Sequence, residues 1–148
     1  EDFNYLVGRQ LKPEARKDII DMFAEAEFQP TSMIDVSDGL ASELFHICTR
    51  SKVGALVEEA NVPIHAQAEK LAFDFKLDPI TCALSGGEDY ELLFTADEND
   101  LEKVKYMTDV AIIGKIVPAG QGIRLLSSGG RLHTIKAQGW KHFQSPSN

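Results

Sequence analysis

The chain has little cysteine, a single tryptophan, no long apolar run and no surplus of positive charge, and each shortage removes a class of protein. Cys48 and Cys82 are the only thiols, and neither lies in a Cys-x-x-Cys pair or near a histidine at zinc spacing. A disulfide scaffold and a structural zinc domain are therefore excluded, and both thiols are read as core residues in a reducing, cytoplasmic setting. No stretch approaches the ~20 apolar residues of a membrane helix, and no secretory signal opens the chain, so no membrane partner is expected. With 23 acidic against 15 basic residues the net charge is −8. A nucleic-acid partner is not expected either, because nothing clusters the lysines and arginines into a basic face. The Gly-x-x-x-x-Gly-Lys-Ser/Thr loop and the Gly-x-Gly-x-x-Gly fingerprint are both missing. The opening Glu1-Asp2-Phe3 has no methionine, so a fragment of a longer polypeptide is expected.

What remains is one domain's worth of chain: 148 residues, 43% of them hydrophobic. Ala15, Ile19, Met22, Phe23 and Ala26 share one face at helical spacing, which predicts a helix over 14–27, ended by Gln29-Pro30. Residues 31–36 read as a short buried strand carrying Met33, Ile34 and Val36. A helix over 39–49 follows, with Leu40, Leu44, Ile47 and Cys48 inward and Asp38 as its N-cap. Next come a strand over 53–58, helices over 65–74 and 79–84, and a strand over 90–95. Thr95-Ala96-Asp97-Glu98 has the form of a capping box for a helix reaching Tyr106. A strand over 111–117 precedes a hairpin of 123–126 with 131–135 across Ser127-Ser128-Gly129-Gly130. This mixture predicts an α+β fold, a mixed sheet covered by helices.

Two acidic stretches carry the chemistry, Ile34-Asp35-Val36-Ser37-Asp38-Gly39-Leu40 and Ser85-Gly86-Gly87-Glu88-Asp89-Tyr90-Glu91-Leu92. Each sets carboxylates beside glycine where strand and helix patterns change over, so that backbone can approach a ligand and side-chain oxygens can meet a cation. The structural alternative makes Asp38 a helix cap and Gly86-Gly87 a turn. Asp35 and Asp38 would face opposite sides of a continued strand, whereas a turn beginning at Ser37 would bring them together. Converging carboxylates with little basic company need a cation between them, and Mg²⁺ takes one or two carboxylates while filling its shell with water and phosphate oxygens. Ser37 adds a hydroxyl, and the amides at a helix start favour a phosphate. Glu88, at the loop edge, can accept from an amine-bearing ring or face a positive charge. Asp89 and Glu91 are read as a solvated strand face or as backbone partners. Trp140 has two readings, core packing or a stacking platform. His46, His65, His133 and His142 are scattered, and without a Ser/His/Asp or Cys/His arrangement no nucleophile is assigned.

Residues 33–40 and 85–95 together closely resemble the C-terminal half of the thiamine-monophosphate kinase family, in the same order, with a matching close at Gly139-Trp140-Lys141-His142-Phe143. Arg9-Gln10-Leu11-Lys12-Pro13-Glu14-Ala15-Arg16 is similar to that family's entry into its second domain. The resemblance spans nearly the whole chain and extends to the aminoimidazole-ribotide synthetase superfamily. It implies an α/β/α layered C-terminal domain over 1–143, a frayed tail over 144–148, and an N-terminal domain absent from this chain. The implied reaction moves the γ-phosphoryl of ATP to thiamine monophosphate. By motif, Asp35 and Asp38 would ligate Mg²⁺, Ser37 would contact ATP phosphate, and Glu88 and Trp140 would contact thiamine monophosphate. The resemblance further implies that this piece alone is monomeric and inactive, and that the whole protein is a homodimer through the missing domain. Another acceptor within the superfamily (a purine precursor, selenide or a carbamoyl group) and a non-catalytic binding module are the alternatives.

Overall fold

The computed structural model describes residues 4–12, 14–88 and 90–136. Helix α1 (Asn4–Leu11), unforeseen in the sequence, leads into α2 (Lys17–Glu25), which begins three residues later than the periodicity predicts. Ile19 and Phe23 are buried, and Met22 and Ala26 pack beside them. The stop is set by backbone rather than by Pro30. Glu27 turns left-handed at φ 48°, letting its own N–H donate to Ala24 O and the Phe28 N–H donate to Phe23 O at 2.9 Å. That pair of bonds satisfies the last carbonyls and places Phe28 edge-on to Phe23, with ring centroids 4.9 Å apart. Asp18 in the first turn accepts from the Arg16 guanidinium at 2.9 Å. That bond holds the Asp18 carboxyl below its ordinary value of 3.8. A depressed folded-state pKa contributes stability above the unfolded value and loses it as pH falls through the folded one. Asp18→Asn is therefore expected to lower the neutral plateau slightly and to flatten the decline in stability below pH 3.8, the two proteins converging in acid, as read by urea melts across that range.

Strand β1 (Ser32–Val36) pairs antiparallel with β3 (Glu91–Thr95), Ile34 opposite Leu93 and Val36 opposite Glu91. β3 alternates between two cores. Leu92 and Phe94 face the cluster around Phe23, Phe28, Val104 and Met107, while Leu93 faces the other. The expected burial of β1 is only half right. Val36 is buried but Met33, opposite Phe94, is 43% exposed, because the Phe23 cluster packs on Leu92 and Phe94 of β3 while β1 is an edge of a two-stranded sheet.

The second core lies against a four-stranded sheet in the order β4-β2-β5-β6. It comprises β2 (Val53–Glu58), β4 (Gly114–Pro118), β5 (Ile123–Leu126) and β6 (Leu132–Thr134). β2 runs parallel to β5 and antiparallel to β4, so the predicted mixed sheet is present, although the six strands among the described residues divide into two sheets. Helix α3 (Leu40–Ser51) lays Ala41, Leu44 and Cys48 against Ala55, Val57, Ile123 and Leu125. Helix α5 (Pro79–Ser85) adds Ile80 to this core, and α4 (Ala66–Asp74) precedes it. The hairpin expected at the end is β5–β6, with the Ser127 N–H donating to Arg131 O.

Two local expectations are corrected. Thr95 caps nothing; it remains in β3, its hydroxyl 2.6 Å from that of Thr31. Asp97 takes the cap, accepting from the Asn99 N–H at 2.9 Å, and a 3₁₀ turn leads into α6 (Leu101–Lys105). Cys82 is not a core residue: it lies on the outer side of α5, whereas Cys48 is buried and burial pushes its thiol pKa up. Under native conditions iodoacetamide is expected to label Cys82 and to reach Cys48 only on unfolding, as peptide mass mapping would show.

Candidate functional site

The site follows from strand polarity. Because β1 and β3 are antiparallel, the chain leaving Val36 and the chain arriving at Glu91 occupy the same end of their sheet. Both acidic stretches therefore meet there, more than forty residues apart in sequence. The Glu88 N–H donates to Ser37 O at 2.7 Å, and the Tyr90 N–H to Val36 O at 3.0 Å.

Glycine permits the approach. A Cβ on Gly87 would lie 2.7 Å from Ser37 O. One on Gly39 would lie 2.9 Å from Gly86 O, and Gly39 also takes φ 111°, which side chains rarely adopt. The sequence suggests Gly86-Gly87 for conformational freedom, but Gly86 has φ −72° and simply closes α5, its N–H donating to Cys82 O at 2.6 Å. Left-handed backbone falls on Glu88 (φ 66°) and Tyr90 (φ 51°). Non-glycine residues in that region carry roughly 1–3 kcal/mol of strain each, which the surrounding contacts must hold.

Asp38 does not cap α3. Gly39 occupies the cap position with φ 111° and ψ 152°, and no side chain caps it. Asp38 is instead exposed, as is Asp35 on the edge strand β1. Neither carboxyl makes a hydrogen bond or an ion pair among the described residues. Ser37 is half-buried, its hydroxyl directed at Glu43 Oε1 at 3.4 Å, and Glu88 is exposed. Among the described residues no three acidic, histidine or cysteine side chains gather into a complete metal cage. Asp35 and Asp38 each offer an exposed, hard carboxylate, the donor type taken by a cation that completes its shell from water and phosphate rather than from protein alone.

Two residues escaped the sequence reading. Glu91 is more than a solvated strand residue: its carboxylate, still 42% exposed, accepts from Arg9 and Arg16, tying α1 and the segment before α2 to the start of β3. Its signal was the arginine pair near the chain's start. Glu43 is 3% exposed and accepts from the Asp38 N–H at 3.2 Å. An acid on the apolar side of α3, between Ala41 and Leu44, was the clue to it. Asp89 and Trp140 lie outside the described residues.

A two-core α+β domain with paired acidic loops at one sheet end belongs to a recognisable class. A solved structure of the hydrogenase maturation protein HypE from E. coli shares the fold, with a TM-score of 0.67 at 18% identity over 83% of this chain and 40% of that one. The family model for the AIR synthase related protein, C-terminal domain, matches residues 4–126, and the chain belongs to that family. Among its relatives, the thiamine-monophosphate kinase of Buchnera aphidicola subsp. Schizaphis graminum is 35% identical over 146 residues, covering 95% of this chain and 43% of the relative. The thiamine-monophosphate kinase of Escherichia coli K12 is 32% identical over 99% of this chain and 45% of its own. A structure of AaThiL complexed with AMPPCP and TMP superposes with a TM-score of 0.76 at 30% identity, over 95% of this chain and 41% of that one. The chain thus spans less than half the length of the relatives it matches. No helix among the described residues is long and apolar enough to cross a membrane.

Proposed function

We propose that this chain is the C-terminal domain of a thiamine-monophosphate kinase, supplying one half of the site that moves the γ-phosphoryl of ATP to thiamine monophosphate. The terminal P–O bond of ATP breaks to leave ADP, and a new P–O bond forms to a phosphate oxygen of the acceptor, giving thiamine diphosphate. The observation that carries the reading is the meeting of the two loops through the Glu88 N–H and Ser37 O. It brings the stretch that carries Asp35 and Asp38 and the stretch that carries Glu88 to the same end of the sheet.

Such a transfer asks for positioning and charge stabilisation more than for covalent help. Asp35 and Asp38 would hold Mg²⁺, which when bound offsets negative charge on the phosphates. Ser37 contacts ATP phosphate, reorienting a hydroxyl held only by the 3.4 Å contact to Glu43. Glu88 faces thiamine monophosphate, whose aminopyrimidine offers an amine and whose thiazolium offers a positive charge. Trp140 adds an aromatic contact to that flat cationic ring.

With under half the relatives' length, this chain alone is a monomer without turnover in this reading, and the complete enzyme pairs through its other domain, in the cytoplasm. Thiamine diphosphate formation from thiamine monophosphate, ATP and Mg²⁺ is the test, run on the 148-residue chain and on the polypeptide extended to its relatives' length. Turnover confined to the longer form is expected. ATP use indifferent to thiamine monophosphate would overturn the substrate, and turnover by the short chain would overturn the half-site.

A further inference from the structure

The inner side of α3 should be apolar, since Ala41, Leu44 and Cys48 pack there into the core. Glu43 interrupts it. It is the one charged-type residue buried among the described residues, at 3% exposure. Burying a carboxyl is costly unless hydrogen bonds replace water, so its partners are informative. Oε1 accepts from the Asp38 N–H at 3.2 Å and faces the Ser37 hydroxyl at 3.4 Å. Gly39, at the cap position between them, has no side chain to anchor this turn. Glu43 reaches back past it and takes over that task.

The same turn is pinned from its other side, where Ser37 O accepts the Glu88 N–H. The Ser37-Asp38 peptide is thus held between the core of α3 and the second acidic loop, leaving the Asp38 carboxyl exposed. Were packing alone at stake, an apolar side chain of similar size would serve better at this position.

We propose that Glu43 is a positioning residue: it fixes the Ser37-Asp38 turn through an acceptor oxygen, and so sets the affinity of the site for the metal-bound nucleotide. The proposal rests on the phosphoryl-transfer reading above. It predicts an effect on the Mg²⁺ requirement that exceeds any effect on thiamine monophosphate.

In the longer polypeptide, Glu43→Met keeps the volume and removes the acceptor, whereas Glu43→Gln keeps an acceptor oxygen at the same reach. Losing these bonds in Glu43→Met is expected to raise the Mg²⁺ concentration at half-maximal rate about tenfold, with Glu43→Gln staying within about threefold of wild type. KM for thiamine monophosphate should change less than the Mg²⁺ requirement in both. If Glu43→Met lacks a cooperative melt, Glu43→Ala replaces it. A folded Met or Ala variant with wild-type Mg²⁺ dependence overturns the proposal. Equal losses in the Gln and Met variants overturn it too, since they would trace the effect to charge rather than to the acceptor. Should the wild type form no thiamine diphosphate, the kinase reading fails and a second measurement decides: Mn²⁺ broadening of the Asp38 amide resonance in the 148-residue chain. Broadening that Glu43→Met loses supports the positioning role; equal broadening, or none in either, overturns it.

Discussion

Asp38→Ala in the longer polypeptide is expected to cut the rate of thiamine diphosphate formation by about 10²–10³, the usual range for removing one preorganised group that stabilises transition-state charge. The melting temperature should hardly move. The Asp38 carboxyl caps no helix and makes no hydrogen bond or ion pair among the described residues, so folding loses nothing with it. In the kinase reading proposed above, what would go is an anchor for a cation beside phosphates that carry several negative charges, in a chain whose net charge is already −8. Raising Mg²⁺ should recover part of the rate, because the missing ligand weakens metal occupancy before it alters anything else. Initial rates over a Mg²⁺ series, beside a thermal melt, make the check. A folded variant within twofold of wild type would remove Asp38 from the site.

Gly39→Ala should fail in the opposite manner, through the fold. Its backbone, at φ 111° and ψ 152°, lies where essentially only glycine resides. The added Cβ would also press on Gly86 O at 2.9 Å, Leu84 O at 3.0 Å and the Ser85 carbonyl carbon at 3.1 Å. All three are backbone atoms at the end of α5, which cannot rotate aside as a side chain can. Conformational strain of about 1–3 kcal/mol and overpacking of a similar size give an expected loss near 3 kcal/mol or more. In a chain of this length that lowers Tm by roughly 6–12 °C. Gly120→Ala, with nothing within 4 Å of the new Cβ, is the control expected to stay close to wild type. Urea melts of the two variants measure the difference. Any Gly39→Ala protein that folds should also lose activity, since relieving the clash means parting the two acidic loops.

Much of the architecture was legible because it is local. The face of Ile19, Met22 and Phe23, and that of Leu44, Ile47 and Cys48, are periodic patterns that survive into the structure as the inner sides of α2 and α3. The hairpin of β5 and β6 was legible for the same reason, its partners being joined by one short turn. Errors gathered where two local signals competed. Thr95 offered a cap and a strand residue at once, and pairing across to Thr31 and Ser32 decided for the strand. Asp38 had the chemistry of a cap, but Gly39 took the position, leaving the carboxyl outside. Cys82 lies on a helix of seven residues, too short for periodicity to say which side faces in.

The candidate site divides along the same line. The residue types that suit a metal, a phosphate and a cationic ring could be read directly, as Asp35, Asp38, Ser37 and Glu88, since side-chain chemistry needs no fold to be recognised. The antiparallel pairing of β1 with β3, which carries Gly87 to Ser37, could not be read, because strand pairing depends on partners distant along the chain. Nor could the inward turn of Glu43 or the clasp of Arg9 and Arg16 on Glu91, each of which exists only once separate elements pack. Sequence by itself determined the elements and the chemical donors, through local periodicity and residue type. Tertiary structure alone decided which donors stay exposed and which are spent holding the loops, because burial and hydrogen-bond satisfaction are settled only when distant segments exclude water from one another.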